Sequence, residues 1–302
     1  MGERLCLLTV HAHPDDEASK GAGTVARYHA EGVHTVLVCC TGGEEGSILN
    51  PSMDRPEVQE RLPEIRMEEL RKSTEIIGYD EVVLLGYRDS GMPGTPSNEN
   101  PRAFVRAPLE ETVGRLVAEI RRTRPQVVVT YHEDQSGYPH PDHLRVHDIS
   151  VAAFEASGDP AAFPDCGPPW QPSKLYYTVW SRAQMMAIHD RFLEHGLESP
   201  FGDAWLSGPD KDADITTHID LAEHASVRPR ALLAHATQFR YPRGVAAAAV
   251  LGDPASPIWF GLTPEVARTV APHDHYVLGR SLVASSEDED DLFAGIRDRV
   301  TP

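Results

Sequence analysis

Four short apolar runs, at residues 5–10, 35–40, 82–85 and 127–131, alternate with segments of helical spacing through the first half of the chain. Each run is apolar at consecutive positions rather than at every second one. A strand of that kind needs cover on both faces, which predicts a mostly parallel α/β sheet with helices on both sides. The spacing predicts helices over 21–32, 57–78, 109–122 and 143–156, the first two closed by glycine. Further on it predicts strands at 174–180 and 216–219 and helices at 182–195 and 221–239. Proline and glycine recur in the second half without a clean linker. The chain therefore reads as a single domain over 1–302, with a core at 1–180 and a decorated C-terminal portion at 181–302.

Polar clusters follow each of the first four runs directly: His13 to Glu17, Thr41 to Gly46, Asp89 to Met92, and His132 to His143. In a parallel sheet all four share the carboxyl edge, where open α/β folds bind ligands. No G-x-G-x-x-G follows the first strand, so a dinucleotide is disfavoured. Ser90 is not in a nucleophile-elbow pattern, and Gly42-Gly43 reads as a tight turn.

Composition removes several classes. A net charge of −18 argues against nucleic acid and anionic membrane as partners. No apolar stretch reaches the roughly 20 residues of a membrane helix, and the N-terminus lacks a signal-peptide pattern, so the expected location is cytoplasmic. Cys6, Cys39 and Cys40 lie in apolar runs, where reduced buried thiols are expected. The acidic run Glu287-Asp288-Glu289-Asp290-Asp291 reads as a solvated surface segment. Trp205, Phe239 and Trp259 read as packing residues.

Two clusters carry the chemistry. His11-Ala12-His13-Pro14-Asp15-Asp16-Glu17 and Tyr138-Pro139-His140-Pro141-Asp142-His143 each place imidazoles and carboxylates beside a proline. Together they hold what a catalytic zinc needs: three ligands, an open position, and an acid or base off the metal. His13 and Asp16, three apart at a stiffened turn, can converge on one ion. Asp15 and Asp16 are adjacent, so one can bind while the other stays free. His140 and His143 lie one helical turn apart, with Pro141 at a helix N1 position; one can ligate while the other faces substrate. Asp142 can hydrogen-bond an imidazole and set its tautomer. The residues alone leave open a turn histidine with a helix N-cap and a histidine-rich surface loop.

Ala12-His13-Pro14-Asp15-Asp16-Glu17 and His140-Pro141-Asp142-His143 resemble the two signature motifs of the LmbE-like (PIG-L type) zinc N-deacetylases. That family has a Rossmann-like α/β fold and hydrolyses amides on glucosamine. Ser19-Lys20-Gly21, Thr41-Gly42-Gly43-Glu44, Ile48-Leu49-Asn50-Pro51, Gly137-Tyr138-Pro139-His140, Leu175-Tyr176-Tyr177, His235-Ala236-Thr237-Gln238 and Glu289-Asp290-Asp291-Leu292-Phe293 are similar to the branch that cleaves mycothiol S-conjugates. Residues 244–264 resemble nothing in it.

The resemblance implies that His13, Asp16 and His143 hold zinc, and His/Asp donors suit Fe2+ as well. It implies that Asp15 is the general base, that His140 and Tyr138 face the scissile carbonyl, with His140 protonated as the oxyanion forms, and that Asp142 orients His140. Arg66 and Asp89 are similar to residues that grip glucosaminyl-inositol, and Lys20 to a branch-specific substrate contact. The expected reaction splits a mycothiol S-conjugate into an N-acetylcysteine S-conjugate and glucosaminyl-inositol. The alternatives are deacetylation of N-acetylglucosaminyl-inositol, an antibiotic-pathway copy of the amidase, and a metal-dependent sugar-binding module without catalysis.

Overall fold

The computed structural model describes residues 4–135, 138–194, 206–238, 269–286 and 288–297, with residues 196, 199, 201 and 202. Gly137, His195, Trp205, Phe239, Trp259, Glu287 and residues 244–264 lie outside the described residues.

The first half follows the expected alternation. Strands β1 (Cys6–His11), β2 (His34–Thr41), β3 (Glu81–Tyr87) and β4 (Val127–Tyr131) are joined through helices. A single turn, α1 (Asp16–Ser19), precedes α2 (Ala22–Ala30), and α3 (Pro56–Glu60) precedes α4 (Leu62–Ile77). Then come α5 (Leu109–Thr123) and α6 (Pro141–Ala156). The helix expected over 57–78 is broken at Arg61. Pro63 has no N–H to donate back to the preceding turn, so a second helix starts with proline in its first turn.

β5 (Lys174–Val179) ends the core, and the C-terminal portion contributes α7 (Arg182–Glu194), β6 (Thr217–Asp220), α8 (Val227–Ala234) and β7 (His273–Ser281). The helix expected from residue 221 begins as a 3-10 turn over Ala222–Ser226 and its α portion ends at Ala234. One seven-stranded sheet runs β3-β2-β1-β4-β5-β7-β6. The pairs β3/β2, β2/β1, β1/β4 and β4/β5 are parallel, while β7 is antiparallel to both β5 and β6.

Burial along β1 shows why the apolar runs are continuous. Leu7 packs into a core with Val25 and Tyr28 of α2, Ile188 and Phe192 of α7, and Ala231 of α8. Cys6, Leu8 and Val10 point the other way, into a core with Leu116 and Ile120 of α5 and Val146 and Ile149 of α6. Alternate side chains thus feed two separate cores. β3 is an edge strand and leaves Val82 and Leu84 exposed. All four cysteines are free, with Cys6, Cys39 and Cys40 buried.

The acidic run near residue 290 corrects an expectation in part: Asp288 and Asp290 are exposed, as a solvated segment would be, but Glu289 and Asp291 are engaged. Among its described members, Glu289 is buried and holds the fully buried Lys174 ammonium at 2.7 and 2.9 Å, one oxygen each. Tyr176 also donates its hydroxyl to Glu289. Asp291 accepts from the Tyr28 hydroxyl at 2.9 Å and from Arg297. The Glu289 N–H donates to Thr216 O, and its carbonyl accepts from His218 N–H, so the segment pairs briefly beside β6. A run of like charge needs water only if no buried counter-charge waits for it, and Lys174 waits at the start of β5.

Removing one member of such a pair strands the other, which costs about 3–5 kcal/mol. Glu289→Gln is therefore expected to lower unfolding free energy by about that much in urea titration. Adding Lys174→Met should recover most of the loss; a double variant no more stable than the single one would contradict the charge argument.

Candidate metal and catalytic site

β1 and β4 are neighbours, and the helices after them cover opposite faces: α2 belongs to one core, α6 to the other. The strand order therefore reverses between them, which opens a crevice at the carboxyl edge. The turn after β1 brings His13, Asp15 and Asp16 into it. The start of α6 brings His140, Asp142 and His143.

Asp15 is one of three described non-glycine residues with positive φ, at φ 110° and ψ −23°. Such a backbone persists only when its surroundings over-determine it. Here Glu17 accepts the Asp15 N–H at 2.9 Å, and Arg66 donates to Pro14 O and to Asp15 Oδ2, the latter at 3.0 Å. Glu17 is fully buried and also accepts from Ser73 Oγ at 2.5 Å and His235 Nε2 at 2.7 Å. Arg66 donates to Gly43 O at 2.6 Å as well. A Cβ on Gly43, which sits at φ 66°, would collide with that guanidinium, so this glycine serves the arginine as well as the turn.

His13 faces carboxylates through both ring nitrogens. Its Nδ1 lies 3.3 Å from Asp16 Oδ2. Its Nε2 lies 3.2 Å from Asp142 Oδ2 and 3.6 Å from Asp89 Oδ1. A carboxylate only accepts, so Nε2 carries the proton toward Asp142. His143 is arranged in the same sense. Its Nδ1 meets Gln135 Oε1 at 3.3 Å, and its buried Nε2, 3.4 Å from Asp16 Oδ2, makes no hydrogen bond.

Metal-ligating histidines commonly spend their far nitrogen on an acceptor in this way. Burial pushes His143 down to about 4, which leaves it neutral with a lone pair on Nε2. Burial opposes charge on His13 too, yet Asp142, Asp16 and Asp89 outweigh it and hold its pKa well above the usual histidine value. Two imidazole nitrogens and one carboxylate oxygen, within 4.8 Å of one another, suit a first-row divalent ion. A second group, His13, Asp89, His140 and Asp142, shares the first imidazole.

The other expected residues surround this set. Asp15 lines the same cavity as His13, Asp16 and His143, and burial raises its pKa against the pull of Arg66. His140 caps α6: its Nδ1 accepts the Asp142 N–H at 3.2 Å, so the neutral ring carries its proton on Nε2, which faces Asp89 Oδ1 at 3.8 Å. Burial, reinforced by the charge on His13, lowers the His140 pKa. His140 is thus a neutral N–H donor here, and the Asp142 carboxylate sits on His13 rather than on His140. Tyr138 stands half-exposed at the cavity mouth, its ring 5.9 Å from that of His140.

The two residues expected to grip sugar are buried and already engaged. Arg66 braces the Asp15 turn, and Asp89 accepts the Gly91 N–H at 2.8 Å while facing His13. Both still form part of the cavity wall. Lys20 does not extend freely over the site. Its ammonium lies 2.6 Å from Asp16 Oδ1.

Gln135, Tyr131, Glu17 and His235 complete the arrangement without having been assigned a role from sequence. Tyr131, at the end of β4, stacks on His143 with ring centroids 4.5 Å apart. Its hydroxyl accepts the Ala12 N–H at 2.9 Å, which fixes the exit of β1. Glu17 and His235 belong to motifs already quoted; their pairing across 218 positions has no local signal.

A family model described as PIG-L, GlcNAc-PI de-N-acetylase, matches residues 8–154. The chain is 42% identical to a mycothiol S-conjugate amidase of Streptomyces coelicolor, over 99% of this chain and 100% of that one. It is 38% identical to a 1D-myo-inositol 2-acetamido-2-deoxy-alpha-D-glucopyranoside deacetylase of Geodermatophilus obscurus, over 96% of this chain and 97% of that one. Among solved structures, a conserved protein of Thermus thermophilus superposes with a TM-score of 0.56 at 22% identity, covering 93% of this chain and 97% of that one. The N,N'-diacetylchitobiose deacetylase of Pyrococcus horikoshii superposes with a TM-score of 0.55 at 19% identity, covering 78% and 70%. These two likenesses concern the fold.

The ligand geometry separates direct donors from their supports. His13→Ala, Asp16→Ala and His143→Ala are each expected to lose bound metal on elemental analysis after desalting. Asp142→Asn and Gln135→Ala should keep the donors but weaken binding about 10- to 100-fold, measured by chelator competition. Full occupancy in any of the three alanine variants would remove that residue from the ligand set.

Proposed function

Because the chain belongs to the PIG-L (LmbE-like) family, we propose that it is a metal-dependent amide hydrolase that cleaves mycothiol S-conjugates in thiol detoxification. The carrying observation is its 42% identity to the Streptomyces coelicolor amidase along essentially the whole of both chains. The site chemistry supports hydrolysis, because a carboxylate held off the donor set yet lining the same cavity is of no use to a protein that only binds sugar.

His13, Asp16 and His143 would hold the divalent ion. When bound, the ion supplies a lowered pKa to a coordinated water and polarises the amide carbonyl. Asp15, aimed by Arg66 and Glu17, takes the proton of the attacking water and passes it to the leaving nitrogen. The Nε2–H of His140 and the Tyr138 hydroxyl donate to the carbonyl oxygen as it gains charge; one such donor contributes about 3 kcal/mol in comparable sites. His140 needs no positive charge for that task. Asp89 and Asp142, against His13, keep its proton on Nε2. The C–N bond breaks, giving an S-substituted N-acetylcysteine and glucosaminyl-inositol.

Deacetylation of N-acetylglucosaminyl-inositol is the second reading. It is supported by relatives 37–39% identical that carry that deacetylase name over almost the whole chain. Both reactions use the same groups, so the substrate decides. With zinc- or iron-loaded enzyme, a mycothiol bimane conjugate is expected to show kcat/KM about tenfold or more above N-acetylglucosaminyl-inositol. The reverse order would establish the deacetylase reading instead.

Asp15→Asn should retain metal and lose about 10²- to 10⁴-fold in kcat, because an amide cannot accept the proton. Near-normal turnover in this variant would exclude Asp15 as the base.

A further inference from the structure

A second cavity lies beside the first, and the two share Tyr138 in their linings. They differ in character. The first carries Arg66, Asp89, Glu45, Ser47 and Gln238 beside Leu49 and Met92, so it offers polar groups for a polyol within a mixed wall. The second is walled on one side by Val179 and Trp180 at the end of β5 and by Met185 of α7. Its inner end is Tyr131, the ring that stacks on His143, with the Lys20 ammonium 5.4 Å from the ring centroid.

A scissile amide has an amine side and an acyl side, and the donor set, which lines the first cavity, adjoins the second through Lys20 on Asp16 and Tyr131 on His143. We propose, on the basis of the amidase reading above, that the second cavity is the acyl-side subsite. It takes the N-acetylcysteinyl part of the substrate and seats its apolar S-substituent against Trp180 and Met185.

Three observations carry this assignment. Tyr138 and Lys20 stand where the cavities meet the donor set, since Lys20 pairs with Asp16 and lines the second cavity. A group leaving the carbonyl toward Tyr131 enters that cavity, whereas a sugar on the nitrogen side meets Arg66 and Asp89. The polar content also fits. Two of the four lysines in a chain of net charge −18, Lys20 and Lys211, line this cavity. Lys211 is steadied by the Asp134 carboxylate at 2.9 Å. Ammonium donors suit the two carbonyl groups of an N-acetylated amino acid, and the thioether carries its substituent on to the apolar wall. A bare acetyl ends at the carbonyl carbon plus one methyl and reaches none of these groups. Burial of a substituent here, and not the chemistry at the ion, would then set the preference among conjugates.

The test uses three amides of glucosaminyl-inositol: acetyl, N-acetyl-S-methylcysteinyl and N-acetyl-S-benzylcysteinyl. Wild-type kcat/KM is expected to rise about tenfold from the S-methyl to the S-benzyl amide. Trp180→Ala should lower the S-benzyl value about tenfold and leave the acetyl amide within about twofold, which also controls for folding. Met185→Phe, which fills the cavity, should raise KM for the S-benzyl amide with kcat little changed. If wild type cleaves the cysteinyl amides but neither variant distinguishes S-benzyl from acetyl, the subsite assignment falls and the amidase reading stands. If both variants lower all three amides alike, the cavity serves the fold and the assignment falls. Cleavage of the acetyl amide alone by wild type would overturn the amidase reading and the subsite with it.

Discussion

Three carboxylates, those of Asp16, Asp89 and Asp142, converge on the single buried imidazole of His13 at 3.2–3.6 Å. Like charges held that close away from water repel strongly unless cations stand among them. The rest of the site can be understood as compensation. Lys20 lies on Asp16, backbone N–H groups from Ser90 and Gly91 reach Asp142 and Asp89, and His13 is biased toward the charged form. A divalent ion at the Asp16 corner would satisfy the same demand with one centre. It would displace the proton from His13 Nδ1 while leaving the Nε2–H···Asp142 bond in place. The candidate donors and their supports are therefore one electrostatic unit, and the fold delivers half of it from the turn after β1 and half from the start of α6.

Much of this was legible in the chain. β1, β2 and β4 are continuous apolar runs because each is covered on both faces, and the clusters after them had to meet at one sheet edge. What the spacing could not tell was which way a side chain turns once it arrives. Asp142 precedes His143 and follows His140, yet its carboxylate finds His13, brought from 129 positions away. The resemblance sets Arg66 against the sugar; it is buried under the Asp15 turn and still forms part of the cavity wall. β7 was not recognised, since in its sequence, His-Asp-His-Tyr-Val-Leu-Gly-Arg-Ser, only three consecutive residues are apolar and they are flanked by polar residues and a glycine. It buries Asp274 and Tyr276 and leaves the intervening histidines half-exposed.

Asp15 illustrates a division of labour across the chain. Its carboxylate is aimed by an arginine on α4, its backbone by Glu17, and Glu17 in turn by His235 just beyond α8. Thr237, two residues on, ties the same loop to Glu69 of α4 through its N–H at 2.8 Å and its hydroxyl at 2.7 Å. The least comfortable backbone in the site is thus braced from both halves of the sequence. The C-terminal portion is structural support for the Asp15 turn.

The Lys174–Glu289 pair has a bearing on how the protein is made. Lys174 opens β5, and β5 lies against β4, so the strand that walls the second cavity is anchored by a cation whose partner is 115 residues downstream. While the ribosome is still producing the intervening chain, the first four strands can already pair. β5 cannot settle fully, because docking it would strand an ammonium in a dry core. Contacts of such long sequence separation form late and slowly. The growing polypeptide should therefore hold the His13, Asp16 and His143 donors near one another before it has a finished wall to the second cavity, and it gains that wall when residue 289 emerges from the exit tunnel.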